Sequence, residues 1–391
     1  MEVKEIIMSL AHEAGFQRTV IASLEPMTAS LERYQGWIDN GFAADMNYLK
    51  RDPSARNSPA QVLPGARSAI MISVSYYTEK PPVPGLYFGD VARYAVGLDY
   101  HAVLRKKLRD LSSAIEKAIG KPLVGKAFTD HVQLHERALA ARHGLGFAGK
   151  NTLIIGPKLS GSYHFIAELF TDLDIAPDEA YQGTCGECFR CGKICPTNAI
   201  VKGGQIDSNL CISYLTIENK GGIPVSMRNS LGTWVFGCDV CQEVCPYNQR
   251  PNQTPWVEFL PESGNGHHLD LLAMLELKTD QEFLKRFEPT PLRRPKRRGI
   301  LRNSLVVLGN ILKKIDEGET KLPECEMSAE QLCERLFELA SEEPDAMLRE
   351  HAAWALSQSR TALNRQRVEN IAALAIEADQ KQLILQHLEN L

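Results

Sequence analysis

Eight of the ten cysteines in this 391-residue chain fall between positions 185 and 245, and their spacing constrains the fold more than any other feature. The first run reads Cys185-x2-Cys188-x2-Cys191-x3-Cys195-Pro196. The second, Cys238-x2-Cys241-x3-Cys245-Pro246, lacks a leading cysteine, and Cys211 stands upstream to supply it. An iron–sulfur cubane needs four thiolates, and one loop with successive two-residue gaps supplies three of them. In two-cluster ferredoxins the cysteine before proline turns away and ligates the other cluster. That rule assigns Cys185, Cys188, Cys191 and Cys245 to one 4Fe-4S cluster, and Cys211, Cys238, Cys241 and Cys195 to a second. Structural zinc prefers C-x2-C pairs set well apart, and three cysteines at successive spacing crowd one tetrahedral ion. Disulfides need an oxidising compartment, whereas the opening MEVKEIIMSLAHEAGF mixes Glu2, Lys4, Glu5 and His12 into an amphipathic pattern unlike an export signal. No run approaches the ~18 apolar residues of a membrane span. A soluble, cytoplasmic protein is expected.

The length exceeds what one core usually supports, so two or three domains are expected. An apolar share of 44% excludes disorder as the basis of function, and a net charge of -4 excludes a chain built throughout to coat nucleic acid. The charge is uneven, however. Arg286, Arg293, Arg294, Lys296, Arg297, Arg298 and Arg302 lie close together against a single Glu288. A basic patch on an acidic chain points to a directed contact with phosphates; a solvated charged loop is the plainer alternative.

Local patterns suggest a helix near 3–14, a strand near 19–23 and a helical stretch from about 29 to 50. ARSAIMISVSYY (66–77), bounded by Pro-Gly and Pro-Pro, reads as a buried strand. Leu104, Leu108, Leu111, Ile115 and Ile119 recur at helical spacing. A strand at 123–128, a helix at 134–143 and strands at 152–155 and 163–171 follow, giving an α/β or α+β domain over 1–175. The cysteine loops occupy 176–255. Beyond Pro295 the segment 301–309 resembles 348–356, which suggests HEAT-like helical repeats or a plain helical bundle in 256–391. Cys325 and Cys333, within it, read as buried small hydrophobes.

Gly144-Leu145-Gly146-Phe147-Ala148-Gly149 matches G-x-G-x-x-G, but a dinucleotide turn must leave a strand and open a helix. Here the order is helix, turn, strand, so Gly144 reads as a helix C-cap. A radical enzyme that cleaves S-adenosylmethionine needs C-x3-C-x2-C, and neither loop contains it. Asp99-Tyr100-His101 begins the D-x-H-x-x-G of mutase-type cobalamin proteins, but Leu104 replaces its glycine.

Beyond the cysteines, several motifs carry a resemblance over nearly the whole chain: Leu63-Pro64-Gly65-Ala66-Arg67-Ser68, Asp99-Tyr100-His101, Asp130 with Glu136-Arg137, Gly146-Phe147-x2-Lys150-Asn151, Cys211-Ile212-Ser213 and Leu301-Arg302-Asn303. Together they resemble the epoxyqueuosine reductases, which complete queuosine at the wobble position of tRNA. The resemblance implies a nitroreductase-like cobalamin-binding domain (1–175), a ferredoxin-like domain with two 4Fe-4S clusters (176–255) and a helical domain contacting tRNA (256–391). It implies base-off cobalamin above the cluster of Cys211, Cys238, Cys241 and Cys195. Arg56, Asp130, Ser213, Cys238 and Asp239 would lie near the corrin, with Ile154 and Ile166 giving backbone or apolar contacts. Asp130 corresponds to the family's proton donor; on local sequence alone it reads as the cap of a helix starting near Val132. Near Ala92 the sequence departs from the family. For tRNA, the candidate contacts are Arg293, Arg294, Lys296, Arg297, Arg298 and Arg302. The expected partners are the anticodon stem-loop and an external electron donor such as flavodoxin or ferredoxin, with a monomer acting alone. The related reductive dehalogenases usually carry a twin-arginine signal, which is absent. A cobalamin reductase acting on a small molecule, or an electron-transfer module that performs no chemistry, would also fit the cysteine loops.

Overall fold

The computed structural model describes residues 2–130, 132–157, 160–201, 203–321, 326–375 and 377–390. Contacts divide the chain into two units that are interleaved, where the sequence reads as three consecutive segments. One comprises 1–79, 93–211 and 239–264, and the other 80–92, 212–238 and 265–391.

The first unit is built on a four-stranded antiparallel sheet in the order Arg18–Ala22, Ser68–Ser75, His164–Thr171, Gly125–Phe128. Every residue of Ser68–Ser75 is buried because helices cover both faces of this inner strand. Side chains alternate between faces. Ile70, Ile72 and Val74 meet Leu104, Leu108, Leu111 and Ile115 on one side, while Ala69 and Met71 meet Leu139, Ala140 and Ile154 on the other. Leu104, Leu108, Leu111 and Ile115 come from the helix Tyr100–Ile119. It starts where the Asp99 carboxylate accepts from the His101 N–H (3.0 Å), and it ends at Gly120 with φ 68°. Truncating Leu108 to alanine would cost ~2–5 kcal/mol of this packing.

The helical stretch expected over 29–50 is broken in two, Thr28–Asp39 and Asn47–Lys50. Asn40 caps the first helix and Gly41 adopts φ 72°, so an Asn-Gly stop overrides the helical pattern. At the glycine-rich turn, the Gly144 N–H reaches the Ala141 carbonyl (3.4 Å) and the Leu145 N–H that of Ala140 (2.9 Å). This is a Schellman ending to the helix Glu136–Arg142, with Gly144 at φ 85° one place beyond the cap, His143.

In the second unit the strand Phe88–Val91 pairs parallel with Trp234–Phe236 and antiparallel with His268–Asp270. The helices Lys296–Asp316, Ala329–Glu342, Ala346–Ser357, Ala362–Ala373 and Ala378–Gln386 follow. The two similar segments lie on Lys296–Asp316 and Ala346–Ser357, which pack on each other. Every residue from Gly299 to Leu312 is buried, and Gly309 has no room for a Cβ, which would sit 2.5 Å from the Trp354 ring. Beside this seam a buried Arg228 pairs with Glu350 (2.7 Å), and Glu350 also accepts from His387 (2.6 Å). Burial alone would raise the Glu350 carboxyl, but the bonds from His351 and His387 and the charge of Arg228 hold it far below the usual range. Cys333 is buried as expected; Cys325 lies outside the described residues. No helix among the described residues is long and apolar enough to cross a membrane.

Candidate active site and cluster loops

Each cysteine loop feeds a single turn of helix, Arg190–Ile194 and Val240–Glu243, and these two turns pack together. Proline follows Cys195 and Cys245, ending each turn and redirecting the chain. The nine described cysteines form no disulfide. Burial raises the Cys191 thiol, and the proximity of Cys185 and Cys245 raises it further. Cys245 is raised by burial and then by Cys185 and Cys188. These four thiols therefore lie close enough to feel one another's charge, the second loop's last cysteine beside the first loop, while no three or more His, Cys, Asp or Glu side chains among the described residues converge on a single metal-ion position. Such mutual repulsion suits a polynuclear cationic group. At Cys195, burial is outweighed by the Thr197 hydroxyl and by the N–H groups of Thr197, Ala199 and Ile200, which lower the thiol. A nest of donors that favours thiolate fits a cluster ligand.

Arg93 and Asp239 lock the chain immediately after Cys238. The buried Asp239 carboxylate accepts from the Arg93 N–H (2.8 Å), from Arg93 Nη1 (3.3 Å) and from Gln242 Nε2 (3.3 Å). Arg93 also binds Glu243 (2.7 Å) and lies over the Tyr77 and Tyr163 rings. Asp239 is thus turned inward. Sequence reasoning missed Arg93, which follows Ala92, where the family pattern was least legible.

Asp130 stands at the end of the strand Gly125–Phe128, exposed and with φ 58°. It does not cap a helix starting near Val132, because the next helix begins at Glu136 with His135 at its cap. Two contacts hold it instead. The Tyr100 hydroxyl donates to Asp130 Oδ2 (2.8 Å), and the Asp130 N–H donates to Glu136 Oε1 (2.7 Å). Tyr100 is fixed by stacking on Phe165, with ring centroids 4.5 Å apart. Burial and the neighbouring Asp130 charge raise its phenol far above the usual range, so it remains a donor at neutral pH. Beneath Asp130, Glu136 meets Glu168, an acid with 0% exposure on the sheet strand His164–Thr171. A lone glutamate in HFIAELFT was the signal available in the sequence.

The other candidates are differently placed. Arg56 lies over the Tyr34 ring (5.5 Å), and its Nε is enclosed without a partner among the described residues, as is His135 Nε2 beside the same ring. Ile154 is buried in the core, with Ile166 packed against it, so the Ile154 side chain is committed to the protein interior. Ser213, half-buried, opens the helix Ile212–Ile217 after Cys211.

The basic stretch requires one correction. Arg302 is 1% exposed and donates to the carbonyls of Leu215, Asn219 and Gly221, so it cannot serve as a phosphate contact. Arg297 is mostly buried and holds Glu343 (2.9 Å) and the Leu277 carbonyl (2.6 Å). Arg293, Arg294 and Arg298 are about half exposed, each with an acidic partner: Glu288, Glu218 and Asp345. Lys296 is exposed.

Sulfur loops of this geometry on an α+β scaffold define an iron–sulfur redox protein, and residues 184–248 match the family model for a 4Fe-4S double cluster binding domain. Residues 56–131 match the model described as Epoxyqueuosine reductase QueG, DUF1730. The epoxyqueuosine reductase of Pseudomonas aeruginosa is 37% identical over 357 residues, covering 90% of this chain and 92% of the relative. That of Xanthomonas campestris pv. campestris is 34% identical over 90% of this chain and 95% of its own length. A crystal structure of epoxyqueuosine reductase with a tRNA-Tyr epoxyqueuosine-modified stem loop superposes with a TM-score of 0.87 at 27% identity, covering 99% of this chain and 98% of the other. The chain belongs to the epoxyqueuosine reductase family.

Proposed function

We propose that this protein reduces the epoxide of epoxyqueuosine to the alkene of queuosine at the wobble position of tRNA, with two 4Fe-4S clusters and cobalamin as its redox groups. The observation that carries this reading is an exposed acid, Asp130, held by two fixed contacts in a chain of this family whose two cysteine loops pack together. Removing the epoxide oxygen takes two electrons and two protons and releases water. When bound, the clusters and the corrin cobalt supply low-potential electrons singly. Cys185, Cys188, Cys191 and Cys245, whose thiols feel one another's charge, are assigned to one cluster, and Cys195, Cys211, Cys238 and Cys241 to the other. Enclosed nitrogens without partners among the described residues, Arg56 Nε and His135 Nε2, suit the carboxamide rim of a corrin. Ser213 and the chain around Cys238 and Asp239 would complete its support, while the Asp239 carboxylate, already engaged, acts by holding that segment in place. The backbones of Ile154 and Ile166 remain for contact.

Within the chain, Asp130 is the proton donor to the leaving alkoxide. Tyr100 orients its carboxyl, and the strained φ at residue 130 turns the side chain out of the strand. The protein alone leaves Asp130 exposed, so bound corrin and nucleoside would have to close the site over it. For the anticodon stem-loop we assign Arg293, Arg294, Lys296 and Arg298, presented by the start of a stack of HEAT-like helices. A flavodoxin or ferredoxin would reduce the clusters, in a cytoplasmic monomer.

The test is anaerobic reconstitution with iron, sulfide and cobalamin, followed by incubation with epoxyqueuosine-tRNA and a reductant. Nucleoside mass spectrometry should show queuosine, one oxygen lighter. Unchanged epoxyqueuosine in a sample that binds cobalamin would overturn the proposal, and iron without corrin affinity would favour an electron-transfer module.

A further inference from the structure

The acid at position 130 rests on two further acids that the chemistry above does not use. Glu168 is completely enclosed, and no protein donor reaches either of its carboxyl oxygens among the described residues. It meets the Glu136 carboxyl, which is also turned inward. Two carboxylates accept hydrogen bonds and cannot donate them, so they bond to each other only when one keeps its proton. Leaving both ionised would bury two like charges beside Asp130, with Arg137 alone among the named groups to offset them. The remaining oxygen of Glu136 accepts the Asp130 N–H (2.7 Å) and so closes the loop on which the proton donor sits.

We infer that Glu136 and Glu168 form a proton-sharing carboxyl pair that positions Asp130, the pair keeping its proton while Glu136 anchors the strained backbone of the acid. The inference rests on Asp130 being the proton donor. Glu136 and Glu168 are positioning residues: neither spends its proton on substrate. Burial, then the charge of Asp130, pushes Glu136 from its ordinary 4.5 up to about 7, and Glu168 is raised further in the same direction by burial and then by Glu136. The charged groups facing the pair are Asp130 from the preceding loop and Arg137 from the helix of Glu136, with Tyr100 bonded to Asp130 from a third element. Loss of the shared proton would place three carboxylates around one loop and drive it outward.

The experiment uses the reconstituted holoenzyme and two readouts besides turnover. Glu168→Gln supplies a permanent donor to Glu136 and imitates the singly protonated pair. Wild type should show a protonated-carboxyl infrared band at pH 7 that Glu168→Gln lacks. Folding stability should fall as pH rises through about 7 in wild type and lose that component in the variant. In turnover, Glu136→Ala removes the acceptor of the Asp130 N–H. It should lower kcat about tenfold with KM for tRNA unchanged, and Glu136→Gln, whose amide oxygen can still accept, should restore most of the rate. No protonated-carboxyl band assignable to the pair, or an unaltered pH profile in Glu168→Gln, would overturn the shared proton. Wild-type kcat in Glu136→Ala would overturn the positioning role, and if that variant does not fold, a kcat of Glu136→Gln as low as that of an Asp130 variant would do the same. The infrared and stability readouts judge the pair even if epoxyqueuosine proves not to be the substrate.

Discussion

The carboxyl groups around residue 130 and the guanidinium groups between 293 and 302 are both dense in like charge, yet the protein handles them in opposite ways. Around Asp130 the acids have few counter-ions: one is exposed, one is buried without a donor among the described residues, and the third joins them. In the basic stretch every arginine from 293 to 302 has partners: an acid at the half-exposed Arg293, Arg294 and Arg298 and at the mostly buried Arg297, and three backbone carbonyls at Arg302. Unbalanced charge is costly in a fold, and its persistence marks chemistry. Balanced charge marks architecture that can still lend its exposed side to a polyanion.

The largest effect that would test this contrast is on rate. Asp130→Asn should fold and bind cobalamin but lose roughly a hundred- to ten-thousand-fold in turnover, measured by nucleoside mass spectrometry. Normal turnover would remove the acid from the mechanism. Next comes Arg302→Ala, which strands three carbonyls and should cost ~3–5 kcal/mol in denaturant unfolding while leaving the salt dependence of tRNA binding unchanged. A changed salt slope in folded protein would return Arg302 to the phosphate-binding set. A smaller effect belongs to His164, whose enclosed Nε2 lacks a partner among the described residues and whose protonation burial holds down to about 4. Because the folded value is depressed, the stability it contributes is complete above the ordinary 6.5 and lost as pH falls toward 4. His164→Leu should remove that acid limb, on the order of 1–3 kcal/mol, from the pH dependence of thermal unfolding. The smallest effect is electrostatic. Replacing Arg293, Arg294 and Arg298 together by alanine should flatten the salt slope of tRNA binding by about one for each phosphate that is no longer neutralised.

What the sequence made legible follows from the range of the interactions. Periodic apolar residues settle the helix Tyr100–Ile119 and the strand Ser68–Ser75, because each is specified by its own neighbours. Cysteine spacing settles the loops for the same reason. The strand Phe88–Val91 could not be read, since its two partners come from distant segments and its four residues carry no strong pattern. The local cap reading of Asp130 failed because Glu136, six places on, takes the Asp130 N–H, and the helix start moves there. Arg302 looked like its basic neighbours until the fold placed it against carbonyls of residues 215–221. Charge density is visible in a sequence; which charges are already satisfied is not.

The passage of the chain back and forth between its two units, at Glu79, Ala92, Cys211, Cys238 and Gly264, bears on how the molecule can be made. Phe88–Val91 leaves the ribosome long before Trp234–Phe236 or His268–Asp270 exists to flank it. Both of its edges stay open until Trp234–Phe236 is made, and one until His268–Asp270 follows, a period in which a nascent chain is prone to pair with the wrong neighbour. A chain stopped at Gly264 would lack His268–Asp270 and leave one of these edges open permanently, so aggregation, rather than a smaller working enzyme, is the expected fate of such a fragment.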